Sequence, residues 1–332
     1  MRRRYARLSF SRVAVFAAAL LLYTAGARAE GTPIPHGTLE LAAENQSIAA
    51  GHTIHLGLRF QLEKGWHIYW VNPGDSGEPP RVKWQLPAGV SVGEMEWPTP
   101  RRLGTSSIVD FGYEDDVMLI VPMHAETALA TQGLAQIGAA VKVLVCREMC
   151  IPGTAQLSLT LPVKSQPPVP DARTADWFAA ARKALPRPAP ASWRVSVADA
   201  GDSFVLTAKI GQHIAQANFF PREESQVKDA AAQQFAKVPG GFRLTLRKSD
   251  QLLKPVARLK GVLVLAGDRG YAIDVPVTAS KADAGEYGSS DGDRPAFVAA
   301  VPQSGTAVGD SRATDGALKC AATKAKPTAK DF

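Results

Sequence analysis

The chain reads as an all-β protein of two β-sandwich domains. Three observations predict it. Apolar and polar residues alternate over short runs, clusters of Gly, Pro, Asn and Asp separate the runs, and a Pro-rich interruption near the middle divides them into two sets.

Ahead of the first run lie Met1-Arg2-Arg3-Arg4, an apolar stretch from Val13 to Tyr23, and Ala27-Arg28-Ala29 before Glu30. A basic start, a short apolar stretch and a small-x-small end predict a secretory signal peptide over residues 1–29. The apolar stretch is too short to anchor stably in a hydrocarbon core of ~30 Å. The segment holds six arginines and no acid, so its removal lowers the formal charge from +7 by six, to +1. A nearly neutral mature chain lacks the basic footprint of a nucleic-acid binder. The rest of the sequence has no apolar run long enough for a transmembrane helix, which predicts a protein that is soluble in the periplasm after cleavage.

The first domain is predicted over residues 30–165. Ile54, Leu56, Leu58, Phe60 and Leu62 alternate with His55, Gly57, Arg59 and Gln61, the period of a half-buried strand. Val141, Val143 and Val145 repeat the pattern, as do Leu157, Leu159 and Leu161. Turn chemistry is densest in Asn72-Pro73-Gly74-Asp75-Ser76-Gly77. Residues 166–191 form a Pro-rich linker. Within it Trp177, Phe178, Ala181 and Leu185 fall near one face of a short helix that Pro186, Pro188 and Pro190 close. Strand patterning returns over residues 192–279, in 193–197, 204–210, 242–246, 261–265 and 271–277, and predicts a second sandwich. Residues 280–332 lose all apolar periodicity and are expected to be a disordered tail.

The chemistry concentrates in Cys146-Arg147-Glu148-Met149-Cys150. Four extended residues would hold the two Cα atoms ~13 Å apart, whereas a disulfide needs roughly 4.4 to 6.8 Å. The chain must therefore turn back between them, by a hairpin or a helical turn. A loop this short gains only about 2 kcal/mol from closure, so spacing favours a switchable pair over a structural staple, which stays open as an alternative. A second alternative is Cu(I) on the soft sulfurs of Cys146, Met149 and Cys150. Zinc would need two further ligands that no local motif supplies, and no cofactor is called for. Cys320 lies in the tail and receives no catalytic role.

Trp66, Trp70, Trp84 and Trp97 crowd into one region and are read as core rather than as a binding face. Asp110, Phe111 and Tyr113 lie among acids and Gly112, which suggests a loop whose aromatics cover something. Glu114, Asp115 and Asp116 lack the ligand spacing of an EF-hand and read as a solvated turn. Motifs for hydrolases and nucleotide enzymes are absent from the sequence.

Gly65 to Gly77, Trp97-Pro98-Thr99-Pro100, Phe111-Gly112-Tyr113 and Val145 to Pro152 together resemble the N-terminal periplasmic region of DsbD-type thiol:disulfide interchange proteins, in particular the ScsB-like branch, over about residues 35 to 278. The resemblance implies an immunoglobulin-like domain in which Cys146 and Cys150 are the redox pair. A membrane-embedded partner domain would reduce the pair, which would then pass electrons to periplasmic thioredoxin-fold proteins. Asp110, Phe111 and Tyr113 would belong to a cap shielding it. Roles in copper tolerance or cytochrome c maturation follow from the same resemblance. The best-known DsbD proteins separate their cysteines by five residues rather than three. They also continue into membrane and thioredoxin-like domains, so here the electrons are expected from a donor on another chain. Cys146 is taken as the attacking sulfur.

Overall fold

The computed structural model describes residues 31–105, 108–129, 133–266 and 269–279. The signal-peptide and tail expectations and Cys320 lie outside these residues. The described chain is all-β apart from one short helix.

Two sheets face each other in the first half. One runs in the order β1 (Thr32–Ile34), β2 (Gly37–Ala43), β3 (Thr53–Leu62), β9 (Asp116–Ala125), β6 (Val90–Val92). The other runs β11 (Cys150–Pro162), β10 (Leu134–Cys146), β4 (His67–Gly74), β8 (Ile108–Glu114), β7 (Arg101–Thr105), and β5 (Arg81–Gln85) also pairs with β10. Alternation decides which side chains meet between the sheets. Ile54, Leu56, Leu58 and Phe60 of β3 and Leu119, Val121 and Met123 of β9 pack with Ile137, Val141 and Val145 of β10 in one buried core. Burying a side chain of this kind is worth roughly 1.5–3 kcal/mol. Trp66 and Trp70 join that core, with Trp84 and Trp97 half-buried against it, as their reading as core residues required.

The linker helix, α1 (Ala175–Ala184), lies against the first half. Phe178 and Ala181 sit on Ala42, Met118 and Ile120, which point away from the main core on β2 and β9. Gly57 makes room beneath, since a Cβ there would meet the Met118 sulfur at 2.6 Å. Thr174 Oγ1 donates to the Ala43 carbonyl at 2.8 Å and Arg182 pairs with Glu44. The Glu44 carboxyl is held below its usual range, chiefly by the Arg182 hydrogen bond.

The second half forms a single hydrogen-bonded ladder in the order β15 (Ala217–Pro221), β18 (Arg258–Leu265), β19 (Arg269–Ala279), β13 (Arg194–Asp199), β14 (Ser203–Lys209), β17 (Gly241–Arg247), β16 (Gln234–Val238). β12 (Arg187–Pro188) runs parallel beside β19. The long β19 pairs with β18 over Arg269–Pro276 and then with β13 over Val277–Ala279. Because β19 serves both, Phe219 and Leu263 from one side of the ladder share a core with Leu206 and Leu244 from the other. The ladder thus folds over on itself rather than forming two separate sheets.

The two halves meet in an apolar seam. Phe220 and Val262 of the second half belong to the first core, and Phe220 makes edge contacts with Phe111 and Trp70 at centroid distances of 5.1 and 6.5 Å.

Candidate functional site

The cysteines close the hairpin of β10 and β11, whose register runs unbroken from Leu134↔Pro162 to Cys146↔Cys150. Only Arg147, Glu148 and Met149 form the loop, tightened by Arg147 N–H donating to the Met149 carbonyl at 3.2 Å. Direct cross-strand pairing brings the Cα atoms to 4.1 Å, and the two sulfurs are bonded. Of the two turns open from sequence, the chain uses the hairpin.

Parity places the disulfide on the outer face of its sheet. Val141, Val143 and Val145 point into the core, so Cys146, one residue on, points the other way. It is nevertheless only 1% exposed, whereas Cys150 is exposed. Strand β4 accounts for the difference. His67 pairs with Cys146 in register, and His67 and Tyr69 share a face opposite the core residues Ile68 and Trp70. The aromatic side chain that reaches the disulfide is Tyr69, whose hydroxyl lies 3.4 Å from Cys150 Sγ.

Tyr69 is itself 0% exposed. Gly77 lies on its ring so closely that a Cβ would fall 2.1 Å from a ring carbon, and its φ of +76° is one that glycine adopts readily. Burial pushes the Tyr69 phenol up to about 12; the Asp110 charge acts in the same direction and a Ser76 hydrogen bond opposes it. The phenol is therefore a proton donor at neutral pH. Burial also lowers the His67 imidazole, which leaves it neutral, edge-on to Tyr69 at 5.3 Å. Its Nε2 is buried without a hydrogen-bond partner.

The residues expected to form a cap loop lie instead in strand β8, and their side chains divide between its two faces. Asp110 is on the disulfide side, where its Oδ1 accepts from Ser76 N–H at 3.1 Å and Ser76 Oγ at 2.9 Å. Its carboxyl is raised, first by burial, against the lowering effect of the Ser76 bonds. Phe111 and Tyr113 are buried in the core; Phe111 packs on Trp70 and Phe220, and the Tyr113 hydroxyl donates to the Pro98 carbonyl at 2.8 Å. A strand replaces the expected loop because both faces of β8 are covered, so its acid is not a sign of solvent.

Around the hairpin, Arg147 holds its guanidinium over the Trp66 ring at 5.1 Å, and Trp66 stacks on His36 at 3.6 Å. Met149 is 68% exposed at the loop tip, so the three sulfurs considered for Cu(I) differ sharply in exposure. Among the described residues, no group of three or more His, Cys, Asp or Glu is placed to hold a metal ion.

With this geometry in hand, residues 39–162 match the family model described as thiol:disulfide interchange protein DsbD, N-terminal. Over this stretch the chain is similar to the DsbD N-terminal domain. The N-terminal periplasmic domain of ScsB from Proteus mirabilis shares the fold, with a TM-score of 0.55 at 19% identity over 73% of this chain and 94% of that one. This likeness extends well beyond the stretch matched by the DsbD family model. Domains 5-6 of the S-layer protein SbsC (TM-score 0.21, 11% identity, 74% of this chain and 99% of that one) and the periplasmic chaperone SfaE (0.19, 9%, 72% and 100%) score too low to bear on this fold. No curated protein sequence matches the chain. Tyr69 reaches the disulfide, His67 pairs in register with Cys146, and Ser76 and Gly77 contact Tyr69 from behind. None was assigned to the site from sequence, where Ser76 and Gly77 read only as turn residues, although all lie within the Gly65–Gly77 stretch that carried the resemblance.

Proposed function

We propose that the chain is an exported, periplasmic thiol/disulfide interchange protein, cleaved near Glu30, that relays electron pairs through Cys146 and Cys150 to thioredoxin-fold partners. One observation carries this most: the pair closes a hairpin tip with one cysteine buried and the other exposed. The exposure of residue Cys150 and the burial of Cys146 favour Cys150 as the sulfur that meets a partner, in place of the Cys146 expected from sequence. In the reduced protein the Cys150 thiolate attacks a partner disulfide, forming a Cys150–partner bond and releasing the partner's second sulfur as thiolate. Cys146, losing its proton, then attacks Cys150 Sγ and expels the remaining partner thiolate. The internal disulfide reforms, two electrons have passed to the partner, and protons from solvent and Cys146 complete its dithiol. A membrane-embedded dithiol on another chain resets the pair by the reverse sequence. The protonated Tyr69 hydroxyl stands where it can donate to sulfur charge on Cys150. Copper tolerance and cytochrome c maturation are the physiological outlets of such a relay.

Equilibration with a thiol buffer tests the reading. A relay predicts reversible oxidation and reduction with a potential above about −300 mV, while a value below that range, typical of inert structural bridges, contradicts it. Among the described residues no helix is long and apolar enough to cross a membrane.

A further inference from the structure

Strand β4 links the disulfide to the second half of the molecule. Its pairing with β8 runs through Tyr69↔Gly112, breaks, and resumes at Gly74↔Asp110. Four residues of β4, Trp70 to Pro73, therefore face the single Phe111 of β8, and they arc out of the ladder. Two of the four touch the second half. Trp70 packs on Phe220, and Asn72, a polar side chain that is 0% exposed, donates from Nδ2 to the Pro221 carbonyl at 2.8 Å.

The same amide closes the arc, since Asn72 Oδ1 accepts from Gly74 N–H at 3.0 Å. The chain re-enters the ladder at Gly74, where φ is +90° and a Cβ would meet the Val109 carbonyl at 2.4 Å. Asp75 then exchanges bonds with Val109 at 2.9 Å in both directions, Ser76 is held by Asp110, and Gly77 settles on the Tyr69 ring. Every step from Pro221 to Cys150 Sγ is a short polar or ring contact: Pro221 to Asn72, Asn72 to the 74–77 turn, Gly77 to Tyr69, Tyr69 to the sulfur. Burying an amide is costly unless both its ends are bonded. Asn72 meets that condition only while the second half stays docked.

From this we infer that the second β-domain is a positioning element of the redox hairpin: Phe220 through Trp70 and Pro221 through Asn72 hold the β4 arc and the 74–77 turn that presses Tyr69 against Cys150 and sets how readily an incoming thiol reaches that sulfur. Asn72 is thus a positioning residue acting through Tyr69. The inference rests on the proposed reading that Cys150 carries the sulfur an incoming thiol attacks, but not on the identity of any partner.

The test uses the full chain, oxidised, and dithiothreitol as probe. One of its thiolates attacks Cys150 and displaces Cys146, and its second thiol closes the reagent into a ring disulfide, leaving the protein pair reduced. Asn72→Ala is expected to speed this reaction about tenfold, equivalent to about 1.4 kcal/mol of barrier, and Phe220→Leu to speed it in the same direction. On a Tyr69→Ala background neither substitution should add further acceleration, because the side chain through which they act is gone. Phe220→Leu carries the test should Asn72→Ala fail to fold. Unchanged rates in the folded variants, or an acceleration that persists undiminished without Tyr69, overturn the inference. Dithiothreitol reduces any accessible disulfide, so either result stands apart from whether the pair exchanges with a thioredoxin-fold protein.

Discussion

At the scale of single residues, Asp110 is buried beside the disulfide with a raised carboxyl, and this has a defined cost. The folded state holds the proton more tightly than the unfolded chain, so stability falls as pH rises from the ordinary aspartate range toward the raised folded value. Asp110→Asn keeps an oxygen for Ser76 and removes the charge. Its melting temperature should exceed that of the parent at pH 7, and the advantage should vanish below the ordinary aspartate range; thermal melts across pH measure both. Tyr69→Phe removes only the hydroxyl at Cys150. A hydrogen bond is worth about 1 kcal/mol net and more when the acceptor is charged, so the loss falls mainly on the reduced, thiolate form. The potential should become more negative by on the order of 20 mV, read by the same thiol-buffer equilibration.

At the scale of elements, helix α1 is more than a spacer. Phe178 fills a small core of its own on β2 and β9. Phe178→Ala should cost about 3–5 kcal/mol, seen as a lower denaturant midpoint with the disulfide intact. The helix was legible because Trp177, Phe178, Ala181 and Leu185 recur at helical spacing between prolines. Strands β3, β10 and β11 were legible for the analogous reason: each has one covered and one wetter face, so apolar and polar residues alternate. The same rule failed at β8 and at the turning end of β4, where both faces are buried. In β8 an acid and a glycine fall on the face under the 74–77 turn, and Asp110 looks like a loop residue until that turn is seen. In β4 the unbroken run from His67 to Trp70 hides which residues face the core, so Tyr69 gave no periodic signal. The cysteine pair needed only its spacing and the alternating runs on either side. The fold-over of the second ladder was not readable, because it depends on β19 changing partners along its length.

At the scale of the whole molecule, the seam of Trp70, Phe111 and Phe220 makes the two cores neighbours in energy as well as in space. Phe220 belongs to the first core while its strand belongs to the second half. The full chain should therefore melt in one calorimetric transition, and Phe220→Ala should split it into two. The high net charge belongs to residues 1–29 and not to this assembly. The rest of the chain is nearly neutral, and its β-domains present one exposed cysteine at a hairpin tip.

The central claim, that Cys150 exchanges with partner disulfides while Cys146 resolves, is tested most directly by trapping. Cys146→Ser and Cys150→Ser are expressed separately, and mixed disulfides with periplasmic thioredoxin-fold proteins are captured after acid quench. Cys146→Ser should accumulate the mixed disulfide and Cys150→Ser should not. Trapping by Cys150→Ser alone, or by neither variant, would contradict the account.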